Sequence, residues 1–329
     1  MILAGDVGGT NTRLAWFDVV RGALVAGETR TYPSQQHAGL DAIVAAFLRA
    51  APGKPEHVCV GVAGPVRDGR VDAVNLAWDV DGPALAARLG VRQVVLVNDL
   101  EANAWGLAAL PDGDFAVLQP GQPEPTGNGA VISAGTGLGE AGLVWDGRRH
   151  RPVASEGGHA DWSPQSELQQ ALWRFLTGEV GHVSVERVLS GPGLHNIYRF
   201  LRDARGMDEP GWLADLFRRE APAVVVSRVG LEGRAEICVR ALELFVAIYG
   251  AEAGNLGLRM LATAGVYLGG GIAPRVLPAL RDHGFLDAFA AKGRVRALLE
   301  ALPVRVVLND RAALIGAARR AAIEAGLLE

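Results

Sequence analysis

Residues 1–18 read MILAGDVGGTNTRLAWFD, and two apolar runs in this stretch flank an aspartate, two glycines and a threonine. The runs, at 2–7 and 12–19, have the composition of β-strands. The turn between them contains Gly8, Gly9 and Thr10. Glycine permits positive φ and a close approach of backbone amides to a ligand, and amides in a tight turn can bind an anion. The stretch therefore predicts a β-hairpin, with either an ordinary turn or a turn that binds a phosphate.

Two later strand-like segments, 129–135 and 265–268, also end in glycine-rich turns. Those turns contain Gly135, Thr136 and Gly137 after the first segment and Gly269, Gly270 and Gly271 after the second. Any one such turn is compatible with a simple change of chain direction. Three of them at strand ends, two with a threonine hydroxyl, indicate a site for nucleotide phosphates. Because the first two turns share the order strand, turn, strand, they also suggest an internal duplication.

Acidic and amide residues follow two of the predicted strands. Asp6 lies two residues before Gly8, where a carboxylate either caps its own turn or holds Mg²⁺, directly or through water, beside phosphates. Asn98 and Asp99 follow a predicted buried strand, 91–97, and begin a predicted helix. One of this pair is explained as a helix N-cap. The other is placed to accept a proton from a substrate hydroxyl, as the base in phosphoryl transfer does.

Further polar residues lie in downstream loops. SEGGHADW contains Glu156 and His159 on either side of two glycines, which we interpret as a flexible loop that aims both side chains at one ligand. HVSVERVLSGPG adds Glu186 and NLAW adds Asn75, although an acid in a first helical turn and an asparagine in a turn also have ordinary structural roles. Carboxylates, amides and one imidazole suit a neutral polyol, whose hydroxyls they can bind selectively. None of these spacings is typical of a metal cage.

The alternation of strands with helices predicts an α/β fold with a mixed sheet, and 329 residues are sufficient for two domains. We place a small lobe at 1–110, with a final helix from 309–329 packing back on it, and a large lobe at 111–308. The turn-rich stretch 120–128 is the candidate connection between them. One long apolar helix is expected from about residue 231 to about residue 261.

Composition excludes several classes of protein. A net charge of −4 provides no positive surface for nucleic acid or an anionic membrane. The absence of Gly-Lys-Ser/Thr argues against a Walker loop, and the glycines at 137, 139 and 142 precede a β-like segment where a dinucleotide fingerprint requires a helix. Cys59 and Cys238 lie in apolar runs and are expected to be buried free thiols. With no signal-like or membrane-spanning stretch, we expect a cytoplasmic protein.

Seven stretches of the sequence resemble the bacterial glucokinase family, within the sugar kinase/actin-type ATPase superfamily. They are GDVGGTNTRLA, NLAW, VNDLEANAWG, SAGTGLGEAG, EGGHADWSP, GHVSVERVLSGPGL and LGGGIAPR, in the family's order between residues 5 and 275. The EGGH motif indicates the branch outside the ROK group, whose cysteine-rich zinc-binding motif this sequence lacks. The resemblance implies a two-lobed actin-like (ribonuclease H-like) fold, with mixed sheets flanked by helices and an active site in the cleft between the lobes.

The resemblance further implies ATP-dependent phosphorylation of the 6-hydroxyl of D-glucose, the first step of glycolysis, by a homodimer in which Asp99 is the catalytic base. With Mg²⁺ expected as cofactor, Asp6 is the predicted metal ligand. The residues implied to hold the sugar are Asn75, Asn98, Asp99, Glu156, His159 and Glu186. The residues implied to surround ATP are Gly8, Gly9, Thr10, Gly135, Thr136 and Gly137 at the phosphates and Gly269, Gly270 and Gly271 at the adenosine.

Other functions stay open at this level. A kinase for another hexose or an amino sugar belongs to the same class, and ADP or polyphosphate could replace ATP as phosphoryl donor. A non-catalytic sugar-sensing regulator belongs to a different class, but it would require a helix-turn-helix or a basic surface, which the sequence does not offer. Glu140 follows the second phosphate turn where a small or apolar residue is expected, and it either weakens ATP binding or points away.

Overall fold

The computed structural model describes residues 1–51, 53–72, 76 and 78–328, and the chain divides into two compact units. The first unit consists of residues 1–112, 145–154 and 309–329, and the second of residues 113–144 and 155–308.

The strands are β1 (Ile2–Val7), β2 (Asn11–Val20), β3 (Ala23–Pro33), β4 (His57–Val62), β5 (Val66–Arg67), β6 (Arg70–Val71), β7 (Val80–Asp81), β8 (Val94–Asn98), β9 (Phe115–Gln119), β10 (Gly129–Ala134), β11 (Leu138–Trp145), β12 (His150–Ser155), β13 (Gly265–Gly269) and β14 (Val304–Val307). The helices are α1 (Leu40–Ala50), α2 (Gly82–Leu89), α3 (Asp99–Leu107), α4 (Glu167–Val180), α5 (Gly191–Asp203), α6 (Gly211–Phe217), α7 (Pro222–Leu231), α8 (Glu236–Met260), α9 (Leu277–Arg281), α10 (His283–Ala290), α11 (Arg296–Ala301) and α12 (Ala312–Glu324). Within the described residues, none of these helices combines the length and the apolar character needed to cross a lipid bilayer.

The first unit is built on a sheet with the strand order β3-β2-β1-β4-β8. β1 pairs antiparallel with β2 and parallel with β4, and β4 pairs parallel with β8. The continuous apolar run of β4 predicts burial on both faces, and this is confirmed. Val58 and Val60 belong to one buried cluster, whereas Cys59 between them belongs to a second cluster on the other face. Cys59 and Cys238 are both buried free thiols, as predicted.

Helix α12, at the C-terminal end of the chain, packs on α3 and completes the first unit. A row of buried alanines on α12 joins the cluster that contains Cys59. The two helices cross closely because glycine faces carbonyl groups on each side. A Cβ at Gly316 would lie 1.7 Å from Ala102 O, and one at Gly106 would lie 2.1 Å from Ala312 O. Alanine at either position would force the helices apart.

In the second unit, the strands β11-β10-β13-β14-β9 are consecutive neighbours in one sheet. β10 pairs antiparallel with β11 and parallel with β13, which pairs parallel with β14. The same succession of one antiparallel and two parallel pairings occurs in the first unit, and it supports the internal duplication that the sequence suggests. The glycines at 137, 139 and 142 lie on the β10–β11 hairpin, so the prediction against a dinucleotide fingerprint is confirmed.

One sequence-based expectation about chain organisation is wrong, and a second is confirmed with a shifted start. The stretch 120–128 lies inside the second unit and makes no connection between units. The long helix expected from about residue 231 to about residue 261 is present as the single helix α8, which begins later than expected, at Glu236, because α7 occupies the chain up to Leu231. Gly233 adopts a left-handed conformation with φ 66°, and Arg234 N–H donates to Val229 O at 3.1 Å, which terminates α7.

Candidate active site

The turn after β1 is held by backbone and serine hydrogen bonds. Gly8 N–H donates to Asn11 O at 2.9 Å. Ser34 binds both ends of the turn, because its Oγ donates to Gly8 O at 2.7 Å and its N–H donates to Thr10 O at 2.9 Å. Ser34 is fully buried and also pairs with Thr12 Oγ1. Protein groups therefore fix the shape of the turn. Sequence reasoning missed Ser34 because no motif surrounds it.

Close approach, more than positive φ, explains the glycines of the three predicted phosphate turns. Among the seven glycines of these turns, which the structure describes in full, only Gly270 adopts a left-handed conformation, with φ 79°. A Cβ at Gly137 would lie 2.7 Å from Glu186 Oε2. At Gly135 and Gly271 a Cβ would project into open space. That space is available to a ligand only because both residues lack a side chain.

Asp6 lies in an acidic cluster at the end of β1. Burial raises the pKa of its carboxyl to about 6; the Arg13 guanidinium opposes this shift, and the nearby Asp99 and Asp310 carboxylates add to it. Arg13 Nη2 is itself paired with Asp310 at 2.9 Å. Three acids beside one arginine create a negative field at this point. Such a field, with carboxylate oxygens as donors, favours a hard divalent cation.

Asn98 and Asp99 lie where β8 runs into α3. Asn98 is the N-cap: its Oδ1 accepts from Leu100 N–H at 2.9 Å and from Glu101 N–H at 3.4 Å, and its Nδ2 donates to Gly64 O at 3.1 Å. Of Asn98 and Asp99, it is therefore Asn98 that has the structural role of helix N-cap. Asp99 occupies the first helical position, and its Oδ1 also accepts from Leu100 N–H, at 2.9 Å. The carboxylate is thereby held at the carboxyl end of a parallel strand, a common place for ligand-binding groups.

The second unit brings two predicted sugar-binding segments together. The turn 157–159, which carries His159 and follows Glu156, lies against the turn 185–187, which carries Glu186. Val185 N–H donates to Ala160 O at 3.0 Å and joins the two segments. Glu156 and His159 are 72% and 61% exposed and approach each other only to 3.9 Å. Their polar groups are therefore accessible to a ligand.

The two glycines between Glu156 and His159 have a different purpose from the one expected. A Cβ at Gly158 would lie 2.1 Å from Leu138 O, and one at Gly157 would lie 2.3 Å from the side chain of Glu140. Neither glycine adopts positive φ. The expectation that these glycines make the loop flexible is therefore wrong. They are needed because the turn packs directly against β11, where a side chain would not fit.

Glu186 connects the sugar-binding segments with the second phosphate turn. Its Oε2 accepts from Leu138 N–H, the first amide after Gly137, at 2.9 Å. Gly135 O in the same turn accepts from Gly191 N–H at 2.8 Å, so the start of α5 is also attached to it. One carboxylate therefore contacts the phosphate turn through one oxygen and retains a second oxygen for another ligand.

A cavity of about 610 Å³ in the second unit joins two of the predicted nucleotide turns. Its lining comprises Gly135, Thr136, Gly191, Pro192, Leu194, His195, Ala221, Pro222, Ala223, Val224, Ser227, Gly271, Ile272, Arg275 and Val276. The parallel pairing of β10 with β13 explains why the turns that follow these strands meet here. Sequence reasoning found the glycine turns but missed the wall from 221 to 227, which carries no motif. It also missed Arg275 as a site residue, although Arg275 ends the LGGGIAPR stretch.

Two cavity residues contribute polar groups of different charge. Burial lowers the pKa of His195, and Arg199 and Arg202 lower it further, so a neutral imidazole lines the wall at neutral pH. Arg275 is exposed at the cavity and, within the described part of the chain, forms no ion pair. The other walls are mainly apolar, as in many sites for an aromatic base.

Three more residues belong to the motifs singled out in the sequence. Asn75 lies outside the described residues, and its role stays a prediction. Asp161, next to the EGGH motif, pairs with His182 Nε2 at 2.8 Å and is turned to solvent. Glu140 is 1% exposed and is not among the residues that line the cavity. The structure therefore favours a side chain that points away from the nucleotide over one that weakens ATP binding.

Comparison with known proteins gives consistent matches over the whole chain. The family model described as Glucokinase matches residues 3–324. The glucokinase of Nostoc punctiforme is 39% identical over 337 residues, which cover 98% of this chain and 99% of the relative. The crystal structure of a glucokinase from an Antarctic psychrotroph has a TM-score of 0.85 and 32% identity, with 98% of each chain covered.

A more distant structure shares the fold. A ROK family glucokinase from Streptomyces griseus, solved in complex with glucose and AMPPNP, has a TM-score of 0.67 and 21% identity, and the alignment covers 98% of this chain and 99% of that one.

Proposed function

The chain belongs to the glucokinase family and is a glucose kinase that uses ATP, and we propose that Asp99 accepts the proton of the 6-hydroxyl of D-glucose. The actin-like ATPase fold implied by the sequence motifs, with mixed sheets flanked by helices, is confirmed along with the family. The observation that supports Asp99 is its position after β8, where Leu100 N–H binds its Oδ1. A carboxylate held in this way orients the hydroxyl and accepts its proton late, as the phosphoryl group arrives.

For the sugar, we assign roles to groups that still have hydrogen-bonding capacity. Glu156 and His159 are exposed and make only a long contact with each other. Glu186 uses Oε2 for Leu138 N–H, and its Oε1 is the oxygen assigned to a hydroxyl. Asn98 uses one Nδ2 hydrogen for a backbone carbonyl, and its second Nδ2 hydrogen is assigned to the sugar. A hexose that lacks one of these hydroxyls would leave a protein group unpaired, at a cost of about 1–3 kcal/mol.

For ATP, we assign the adenosine to the 610 Å³ cavity and the phosphates to the turns at 8–10 and 135–137. Apolar walls suit the base, and Gly135 and Gly271 provide room beside it. The exposed guanidinium of Arg275 is suited to a phosphate oxygen or a ribose hydroxyl. Arg275→Ala should therefore raise the KM for ATP and leave the KM for glucose unchanged in steady-state assays. An unchanged KM for ATP would remove Arg275 from the site.

We also propose Mg²⁺ as the cofactor, held near Asp6. The residues present fit this ion, because Asp6 offers a carboxylate, the oxygen donor that Mg²⁺ prefers, and the Asp99 and Asp310 carboxylates add negative charge near it. Across the residues that the structure describes, no group of three or more His, Cys, Asp and Glu forms a ready-made metal cage. This agrees with an ion bound mainly by phosphate oxygens and water. When bound, the ion neutralises charge on the phosphates; the chain's own contribution is a carboxylate beside the turn at 8–10.

We further propose that the protein acts in the cytoplasm, where ATP is available, and as a homodimer. Leu168 and Trp173 on α4 are 38% and 39% exposed, and these apolar side chains offer a surface to a second copy. Light scattering after size-exclusion chromatography would measure the mass. A monomeric mass for the wild-type protein would contradict the proposed dimer.

Asp99→Asn tests the central assignment. Asparagine keeps the shape of the side chain and removes the proton acceptor, so kcat should fall by about 10²–10⁴-fold while glucose still binds. ADP release measures the first quantity and calorimetric titration with glucose measures the second. Asp208→Asn, at an exposed position, is the matched control and should retain wild-type kcat. Turnover near wild type in Asp99→Asn would exclude Asp99 as the base. A panel of hexoses and amino sugars in the same assay measures sugar selectivity.

A further inference from the structure

Two buried glutamates that the proposed mechanism does not use lie beside the turn 157–159. Glu140 on β11 and Glu252 on α8 are 1% and 5% exposed. Glu252 is well paired, since its Oε1 accepts from Arg259 Nη1 at 2.7 Å and its Oε2 accepts from Asn255 Nδ2 at 2.8 Å. Glu140 differs: its Oε1 is buried and, among the described residues, has no hydrogen-bond partner, and its Oε2 lies 3.8 Å from Arg259 Nη1. Both oxygens of Glu252 therefore have donors, whereas those of Glu140 do not.

Little positive charge compensates a second ionised carboxyl at this place. Arg259 is half-exposed and already bound to Glu252. Lys292, from the segment after α10, donates through its Nζ to Ala251 O at 2.9 Å and to Asn255 Oδ1 at 2.7 Å, so its hydrogen-bonded link to Glu252 runs through Asn255. From β12, the Ser155 hydroxyl donates to the main-chain carbonyl of Glu140, not to its side chain. Two adjacent buried carboxylates repel each other strongly, so one of them holds a proton.

The protonation of Glu140 falls in the physiological range. Burial raises the pKa of its carboxyl to about 7, the neighbouring Glu252 contributes to the rise, and Arg259 opposes it. When protonated, the carboxyl is neutral and can donate to the Glu252 carboxylate, which binds the same Arg259. When it ionises, the proton leaves to solvent and this hydrogen bond is replaced by repulsion.

The side chain of Glu140 also supports the turn that carries the proposed sugar-binding groups. A Cβ at Gly157 would lie 2.3 Å from Glu140 Oε2 and 3.1 Å from Glu140 Cβ, so the backbone of the turn rests on this side chain. Gly157 N–H donates to Ser155 Oγ at 3.2 Å, and that hydroxyl donates to Glu140 O at 2.9 Å. Any movement of the Glu140 carboxyl is therefore transmitted to the turn between Glu156 and His159.

We propose that Glu140 is a positioning residue for the glucose site, and that its neutral form, hydrogen-bonded to Glu252, holds the turn 157–159 in the conformation that binds glucose. This inference rests on the proposed roles of Glu156 and His159. Ionised Glu140 withdraws from Glu252, and the turn loses its support. Glucose binding is therefore weaker when Glu140 is ionised, whereas the chemical step at Asp99 is not directly affected.

Steady-state kinetics across about pH 6 to about pH 9 test the proposal. In the wild-type protein the KM for glucose should rise with pH as Glu140 ionises. If bound glucose raises the pKa of Glu140 by about one unit, the total rise in KM is about tenfold. Glutamine is neutral and can still donate to Glu252, so Glu140→Gln should retain the low-pH KM throughout. Glu243→Gln, an exposed substitution on α8, is the matched control and should follow the wild-type profile.

Two outcomes would overturn the inference. One is a pH profile of KM in Glu140→Gln that equals the wild-type profile, and the other is a pH effect confined to kcat. If Glu140→Gln does not fold, as judged by thermal unfolding, Glu252→Gln provides the same test. Loss of the Glu252 charge should move the rise in KM to lower pH, and an unmoved rise would refute the proposal. Glu156→Gln distinguishes failure of this inference from failure of the proposed function on which it rests. An unchanged KM for glucose in that variant contradicts the sugar-binding role of Glu156 itself.

Discussion

Replacing Gly158 with alanine tests whether the sugar-binding turn depends on its contact with β11. The added Cβ would lie 2.1 Å from Leu138 O and 3.0 Å from Leu138 C, well short of the 3.4 Å at which ordinary contact begins. Leu138 belongs to a paired strand, opposite Ala134, so the turn must move and not the strand. A displacement of about 1 Å at a substrate-positioning group costs about 100-fold in rate, and overpacking of this kind costs about 1–3 kcal/mol of stability.

The assay is kcat/KM for glucose at saturating ATP, with thermal unfolding recorded on the same samples. We expect Gly158→Ala to lower kcat/KM by about 100-fold. Gly178→Ala on α4 is the matched control, because a Cβ there meets nothing within 4 Å and alanine is favourable in a helix. A value of kcat/KM for Gly158→Ala within about twofold of wild type would refute the reasoning, because the turn would then tolerate displacement.

Three further predictions concern the first unit. Ser34→Ala removes the donor to Gly8 O, so the free energy of unfolding should fall by about 1–3 kcal/mol and the KM for ATP should rise; unchanged values in denaturation and kinetics would contradict the role of Ser34. Gly316→Ala places a Cβ 1.7 Å from Ala102 O, so the free energy of unfolding should fall by about 1–3 kcal/mol. Calorimetry should show this as a lower Tm, and a Tm equal to that of the wild type would disprove the tight crossing. In metal-free protein, native Asp6 keeps its proton up to a pKa of about 6, above its ordinary 3.8. The free energy of unfolding should therefore fall as pH rises from about 4 to about 6; Asp6→Asn should reduce that slope, and equal slopes would argue against the shift.

Local patterns in the sequence are sufficient to locate many elements of the fold. The apolar periodicity at 40–50 predicts helix α1 with both ends correct, since α1 lies at Leu40–Ala50. The glycine turns are also found correctly, because a strand that ends in Gly-Thr-Gly or Gly-Gly-Gly is a signal confined to a few residues. The start of α8 is equally local, because Gly233 adopts a left-handed conformation between α7 and α8.

Contacts between distant segments could not be predicted from such patterns. Glu140 lies three residues after Gly137, so its position in the sequence suggests a phosphate neighbour. In the structure it contacts Glu252 and Gly157, which no local signal connects with it. The cavity wall at 221–227 is missed for a related reason. It offers backbone and small apolar side chains, and many other residues could supply the same surface.

The first unit is closed by residues from both ends of the chain. Helix α12 contributes alanines to the buried cluster that contains Ile2 and Phe17, and Arg13 binds Asp310 across 297 positions of sequence. During synthesis, residues 155–308 leave the ribosome before these contacts can form. The second unit can therefore fold while the first still exposes an apolar face. A nascent chain that ends before α12 would contain every residue assigned here to glucose or ATP, yet its first core would be open. Closure of the first core is thereby tied to the synthesis of α12.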